Sequence, residues 1–153
     1  LDGATHRLVA RVGVETRGAD VNRLFPNLPV RHFSKASMNH YLHLLSKSII
    51  HFYPTEWIGT AREQIACAVA GTPCVGNKDS HTQARLFPSI GYGIYDVDAM
   101  FEACVELLSD KVIYDNVVNH ARERVKYYGI SATKNRFLDA YQDALRMKKK
   151  VTA

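Results

Sequence analysis

Ser48-Ile49-Ile50-His51-Phe52-Tyr53-Pro54-Thr55-Glu56-Trp57-Ile58-Gly59-Thr60-Ala61-Arg62-Glu63 holds the change of rhythm on which the fold turns. Its first six residues are apolar on both sides of the alternation, as expected of a central parallel strand covered on both faces. Pro54 turns the chain. Thr60 followed by Glu63 has the spacing of a capping box, and it introduces Ile65, Ala66, Val69 and Ala70 at helical period. Gly71 ends that helix, Pro73 forbids its continuation, and residues 73–76 read as the next strand. Strand, turn, helix and strand in this order make a βαβ unit.

Read outward from this unit, the same alternation continues. Strands are predicted over residues 8–14, 29–33, 48–53, 73–76 and 93–95. Ser37 can cap a helix that carries Met38, Tyr41, Leu42 and Leu45, and a shorter helix is predicted over 81–87. After Tyr95 the pattern becomes wholly helical. Asp96 or Asp98 starts a helix with Met100, Phe101, Val105 and Leu108. A second runs over 112–128 to Gly129, and a third from Ser131 carries Phe137, Leu138, Tyr141 and Leu145. The expected fold is α/β: a single domain over 1–153 with a Rossmann-like three-layer parallel sheet, helices on both faces and about three closing helices. No repeat, low-complexity tract or linker interrupts it.

Composition narrows the function classes. With 46% hydrophobic and 23% charged residues the chain reads as a folded globular domain, not as a disordered or collagen-like one. Cys67, Cys74 and Cys104 are odd in number and lack C-x-x-C spacing, which argues against a secreted disulfide scaffold and against zinc, and fits a reducing compartment. No apolar run is long enough to span a bilayer, so a cytoplasmic location is expected, with the membrane surface as an alternative address. The net charge of +5 favours anionic partners. Part of that excess, Arg146, Lys148, Lys149 and Lys150, closes the last helix, where it reads either as helix-dipole pairing or as a patch for polyanions or an anionic membrane surface. No nucleic-acid motif accompanies it.

Ligands of an open parallel sheet bind beyond the carboxyl ends of its strands, so the loops there carry the chemistry. The loop from Pro54 to Thr60 enters a helix just after Gly59, and a helix start offers unpaired amides and a positive dipole to phosphate. Neither the G-x-G-x-x-G nor the Walker pattern is present. Glu56 and Glu63 flank that anion site, and carboxylates accept from sugar or ribose hydroxyls, so a nucleotide sugar suits the pair. The plainer reading leaves Glu63 as the capping-box residue and Glu56 as a solvated loop charge. His40 and His43 stand i, i+3 on one helix without a third ligand, so no metal site is expected. Lys78, Asp79 and His81 follow a strand end and read either as donor-flanking or as ordinary loop residues.

From Pro54 through Thr60 to Ala70-Gly71-Thr72-Pro73-Cys74-Val75-Gly76 the chain resembles the donor-site segment of retaining glycosyltransferases of the two-lobed GT-B fold. That family has a Pro-(Ser/Thr) pair, a Glu-Gly-Phe-Gly-like loop and a helix ending in Ala-x-Gly-Thr-Pro. Here Glu56-Trp57-Ile58-Gly59 stands for the loop and Gly71-Thr72-Pro73 matches outright. The strand ending at Gly13 and the strand before Ser34 resemble the family's earlier units. The resemblance implies a lobe that binds a nucleotide diphosphate sugar as donor substrate, with no further cofactor, and passes a hexosyl group to a sugar or lipid-linked acceptor. It implies catalytic roles for Glu56 and Glu63, and donor contacts at Gly13, Ser34, Gly59, Thr60 and Ala61.

Two departures bear on that carry-over. The family places seven residues between its glutamates; here there are six, and Ala66 stands where the second is expected. Either Glu63 reaches the donor from its shifted place, or another group makes that contact. The family's first donor-lobe strand and its whole acceptor lobe are also expected ahead of Leu1, which agrees with a chain that opens without methionine. The alternative function is a GT-B-like binding or scaffolding module without transfer activity. A receiver-like signalling domain is disfavoured, since no acidic cluster follows the first strand.

Overall fold

A computed structural model of the chain describes residues 37–56 and 58–151. The strands expected over 8–14 and 29–33, together with Gly13, Ser34 and Trp57, lie outside the described residues. Within them the protein is α/β. Helix α1 (Met38–Ser46) is followed by β1 (His51–Tyr53), α2 (Arg62–Ala70), β2 (Cys74–Asn77), α3 (His81–Leu86), a 3-10 turn (Pro88–Ile90) and β3 (Gly91–Tyr92). Then come α4 (Val97–Ser109), α5 (Lys111–Val125), a second 3-10 turn (Lys126–Tyr128) and α6 (Ile130–Val151). The strands form one parallel sheet in the order β1-β2-β3, with His51 opposite Cys74, Tyr53 opposite Gly76, and Gly76 in turn opposite Gly91.

Local chemistry explains most of the boundaries. Ser37 has extended backbone and its hydroxyl accepts from the His40 amide at 3.3 Å, as a cap should. Strand β1 is shorter than the apolar run 48–53 because Ser48 is spent on ending α1. The Ser48 amide donates to Leu45 O at 2.9 Å and its hydroxyl to Leu44 O at 2.8 Å. Gly71 closes α2 in the left-handed region, at φ 76°, where an L side chain would be strained. Asp110 caps α5, its carboxylate accepting from the amides of Val112 at 2.7 Å and Ile113 at 3.1 Å.

Four expectations are corrected. The capping box at Thr60 does not form: α2 begins at Arg62, Ala61 occupies its cap position, and no side chain caps it. Residues 93–95 make a turn closed by the Asp96 amide on Gly93 O at 2.9 Å, so β3 lies just before them. Helix α4 turns Met100, Ala103 and Leu107 inward, an i, i+3, i+7 line, and leaves Phe101, Val105 and Leu108 exposed. Helix α6 likewise leaves Phe137, Leu138, Tyr141 and Leu145 exposed; its main contact among the described residues is with the turn Lys126–Tyr128. No helix of the described residues is long and apolar enough to cross a membrane.

Under the sheet lies a core in which Cys67, Ala68, Val75, Leu86, Phe87 and Met100 are essentially inaccessible. Gly76 and Gly91 face each other across β2 and β3 because the Gln83 side chain fills the space a Cβ would need. A Cβ on Gly76 would sit 2.9 Å from Tyr53 O and 3.1 Å from Gln83 Oε1. Backbone cannot step aside as a flexible side chain can. Gly76→Ala is therefore expected to destabilise the fold by about 1 to 3 kcal/mol. Gly93→Ala, whose Cβ would meet only Asp96 Cβ at 3.9 Å, is expected to stay within about 0.5 kcal/mol of wild type in urea denaturation.

Candidate functional site

Because the three strands are parallel, the segments after Tyr53, Asn77 and Tyr92 emerge at one end of the sheet. They are laced together. Asn77 donates its side-chain amide to Thr55 O at 3.0 Å and accepts the Asp79 amide at 3.0 Å on its Oδ1. Lys78 N donates to Tyr92 O at 2.9 Å, and His81 N to Ile58 O at 3.0 Å. The buried Ser80 hydroxyl reaches Gln64 Oε1 at 3.0 Å and Gly59 O at 3.3 Å. Thr82, also buried, accepts the Ala61 amide at 2.8 Å.

This lacing decides what the α2 start can offer an anion. The Ala61 amide is already taken by Thr82, so the donor contact expected of it is not available from its backbone N–H. Gly59 and Thr60 remain as the loop residues that lead to the helix, Thr60 exposed and Gly59 half-buried.

Thr60 forms one edge of an open cavity of about 650 Å³, whose other walls come from α3, α5 and the turn after α5. His81, Arg85, His120 and Arg124 bring cationic or titratable nitrogen to it, Tyr127 and Tyr128 bring aromatic surface, and no carboxylate of the described residues lines it. Arg85, and Arg136 behind it, are held by specific contacts. Arg85 Cζ lies 3.8 Å from the Tyr127 ring centroid and Arg136 Cζ lies 3.6 Å from it, so the phenol ring is shared by two guanidinium groups. Arg136 also donates to Tyr127 O at 2.7 Å, and Tyr127 meets Tyr128 edge-on with centroids 5.2 Å apart. The volume falls in the range of small-ligand clefts. Its chemistry suits a ligand with phosphate charge and an aromatic or hydroxylated body.

The carboxylates stand apart from this cavity. Glu56 is exposed on the loop after β1. Glu63 is half-buried on the first turn of α2, where it accepts from the Tyr53 hydroxyl at 3.5 Å. Burial, followed by the Glu63 charge, raises the Tyr53 phenol above its ordinary value of 10.0. Lys78 and Asp79 are exposed at the sheet end, and His40 and His43 are exposed on α1. The signal for the cavity was in the sequence as helical spacing: His81 and Arg85, and His120, Arg124 and Tyr128, each stand at i, i+4 intervals.

Among the described residues, the His, Cys, Asp and Glu side chains close enough to share an ion are His51, Cys67 and Cys74, all in the core. Burial first, then its hydrogen bond to Cys67, pushes the Cys74 thiol well above its ordinary value.

A scan against protein-family models finds no match for this chain, and neither the curated proteins nor the solved structures match it significantly.

The Tyr53–Glu63 pair has a checkable pH signature. A phenol whose native pKa is raised adds stability below its unfolded value near 10, and that contribution disappears as the pH climbs through the native value. The stability difference between wild type and Tyr53→Phe is expected to hold constant from pH 7 to 9 and to decline above pH 10. Parallel urea midpoints over that range measure it.

Proposed function

We propose that this domain is the donor-binding lobe of a retaining, metal-independent glycosyltransferase, with the Rossmann-like three-layer version of the α/β architecture. It takes a nucleotide diphosphate sugar as donor and passes its hexosyl group to a sugar or lipid-linked acceptor presented by a second lobe. One observation carries the reading: among the described residues, the cavity at Thr60 combines Arg85, Arg124, His81 and His120 with two tyrosines and no carboxylate. The Gly71-Thr72-Pro73 block supports it, since this is the outright match to the donor-site segment and it directs the chain from α2 into β2.

In this mechanism the diphosphate lies between the Gly59–Thr60 segment and the guanidinium groups, and the tyrosines cover the nucleoside. Glu56 accepts from donor-sugar hydroxyls at the exposed loop. When the bond from the anomeric carbon to the diphosphate breaks, negative charge grows on the departing oxygen. Arg124, Arg85 and the positive end of α2 are fixed charges and dipoles that favour it. A metal is not required for that neutralisation.

A second reading, a GT-B-like binding module without transfer activity, is favoured by one specific feature. Glu63 accepts from Tyr53 and does not line the cavity, so the second carboxylate of the family's site is engaged elsewhere.

Titration of the isotope-labelled chain with UDP or GDP tests the shared core of both readings. The Gly59 and Thr60 amides and the Arg124 side chain are expected to shift, with little dependence on Mg²⁺. Arg124→Ala is expected to weaken binding by roughly ten- to a hundredfold, the loss of one charge-assisted contact. Shifts confined to other loops, or an Arg124→Ala affinity equal to wild type, contradict the site. Glu63→Gln then separates the two readings, because unchanged nucleotide-sugar affinity removes Glu63 from the donor contacts.

A further inference from the structure

We propose that His51, Cys67 and Cys74 form a buried structural site for a thiophilic divalent cation of the Zn²⁺ type, placed where β1, β2 and α2 meet. The site is independent of the nucleotide cavity. His51 and Cys74 are register partners on adjacent parallel strands, which sets their side chains side by side on one face of the sheet. Cys67 comes from α2, whose last turn ends at the left-handed Gly71 and feeds through Pro73 into β2. That short reversal brings the second thiol back over the first.

The three donor atoms lie within 4.8 Å of one another. Sulfur ligands of a tetrahedral zinc with bonds of about 2.3 Å are about 3.8 Å apart, so closure asks at most about 1 Å of side-chain movement. The donor set is right for the ion: two soft thiolates and one imidazole select zinc over the hard cations, which prefer oxygen. Charge balance also fits a core site. Two thiolates on Zn²⁺ sum to zero, and a neutral unit is what an apolar interior accepts. Binding therefore sends two thiol protons to solvent. Glu63 lies close enough for its charge to act on Cys74, and a water in the fourth position keeps the unit neutral.

The sequence hides this site because six residues separate the cysteines and the histidine stands on another strand. No zinc-finger spacing results. A signal was present nonetheless: a polar imidazole inside an otherwise apolar run, at the register of the strand that follows Gly71-Thr72-Pro73.

The test uses the full reduced chain and Co²⁺, whose thiolate charge-transfer and ligand-field bands report the donor set. One equivalent of Co²⁺ is expected to give both bands, and Zn²⁺ to bleach them and to raise Tm by roughly 5 °C or more. Cys104→Ser is expected to keep the bands, and Cys74→Ser to lose the charge-transfer band. Because a buried serine can itself unfold the chain, X-ray absorption on the wild-type zinc form provides a second reading. It is expected to show two sulfurs near 2.3 Å and at least one nitrogen near 2.0 Å. The proposal is overturned by a folded wild-type chain with no charge-transfer band, by a band that survives in Cys67→Ser/Cys74→Ser, or by a zinc shell of nitrogen and oxygen alone.

Discussion

The side-chain amide of Gln83 holds the described part of this protein together. Its NH₂ group lies 2.9 Å from Cys74 O, 3.1 Å from Phe87 O and 3.2 Å from Ile90 O, while its oxygen accepts from Gln64 Nε2 at 2.9 Å. Two protons facing three carbonyls means that one bond is shared. Gln64 and Gln83 are wholly buried, so each of these groups would be left without water if its partner were lost. One side chain thereby ties β2, the end of α3 and the entry to β3 to helix α2.

Much of the architecture follows from this constraint. Glycine at positions 76 and 91 leaves room for Gln83 between the paired strands, and Ser80 extends the network through Gln64 to the loop at Gly59. Thr82, one residue before Gln83, fixes the Ala61 amide. The same segment that organises the core therefore sets the shape of the loop leading to the cavity at Thr60. The edge of that cavity is pre-organised by the core, and part of the helix start's hydrogen-bonding capacity is consumed in making it rigid.

What was legible in the sequence were features of short range. Ser37 as a cap, Gly71 as a helix terminator and the βαβ order all rest on local backbone chemistry, and each is found, with the strand expected from Pro73 starting one residue later at Cys74. What was not legible depends on tertiary contact. Thr60 and Glu63 have the spacing of a capping box, yet Thr82, distant in sequence, takes the Ala61 amide and the helix starts later. Gln64 and Gln83 look like ordinary polar positions on helix surfaces, since nothing local says that an amide will be buried among carbonyls. In α4 the apolar residues outnumber one face, so periodicity alone could not choose between Met100, Ala103 and Leu107 and the line with Phe101 and Leu108. Arg124 and His120 were visible as a helical stripe, but only the packing of α5 against α3 makes that stripe the wall of a cavity.

The most direct measurement is a double-mutant cycle on the buried amides, with Gln64→Met, Gln83→Met and the pair compared by urea denaturation. Gln83→Met strands several carbonyls and the Gln64 amide, and is predicted to cost about 3 kcal/mol or more. Because the second substitution removes a group already left unpaired, the double variant is predicted to cost at least about 1 kcal/mol less than the sum of the singles. Additivity within about 0.5 kcal/mol, or a loss below about 1 kcal/mol for Gln83→Met, would contradict a fold organised around this amide.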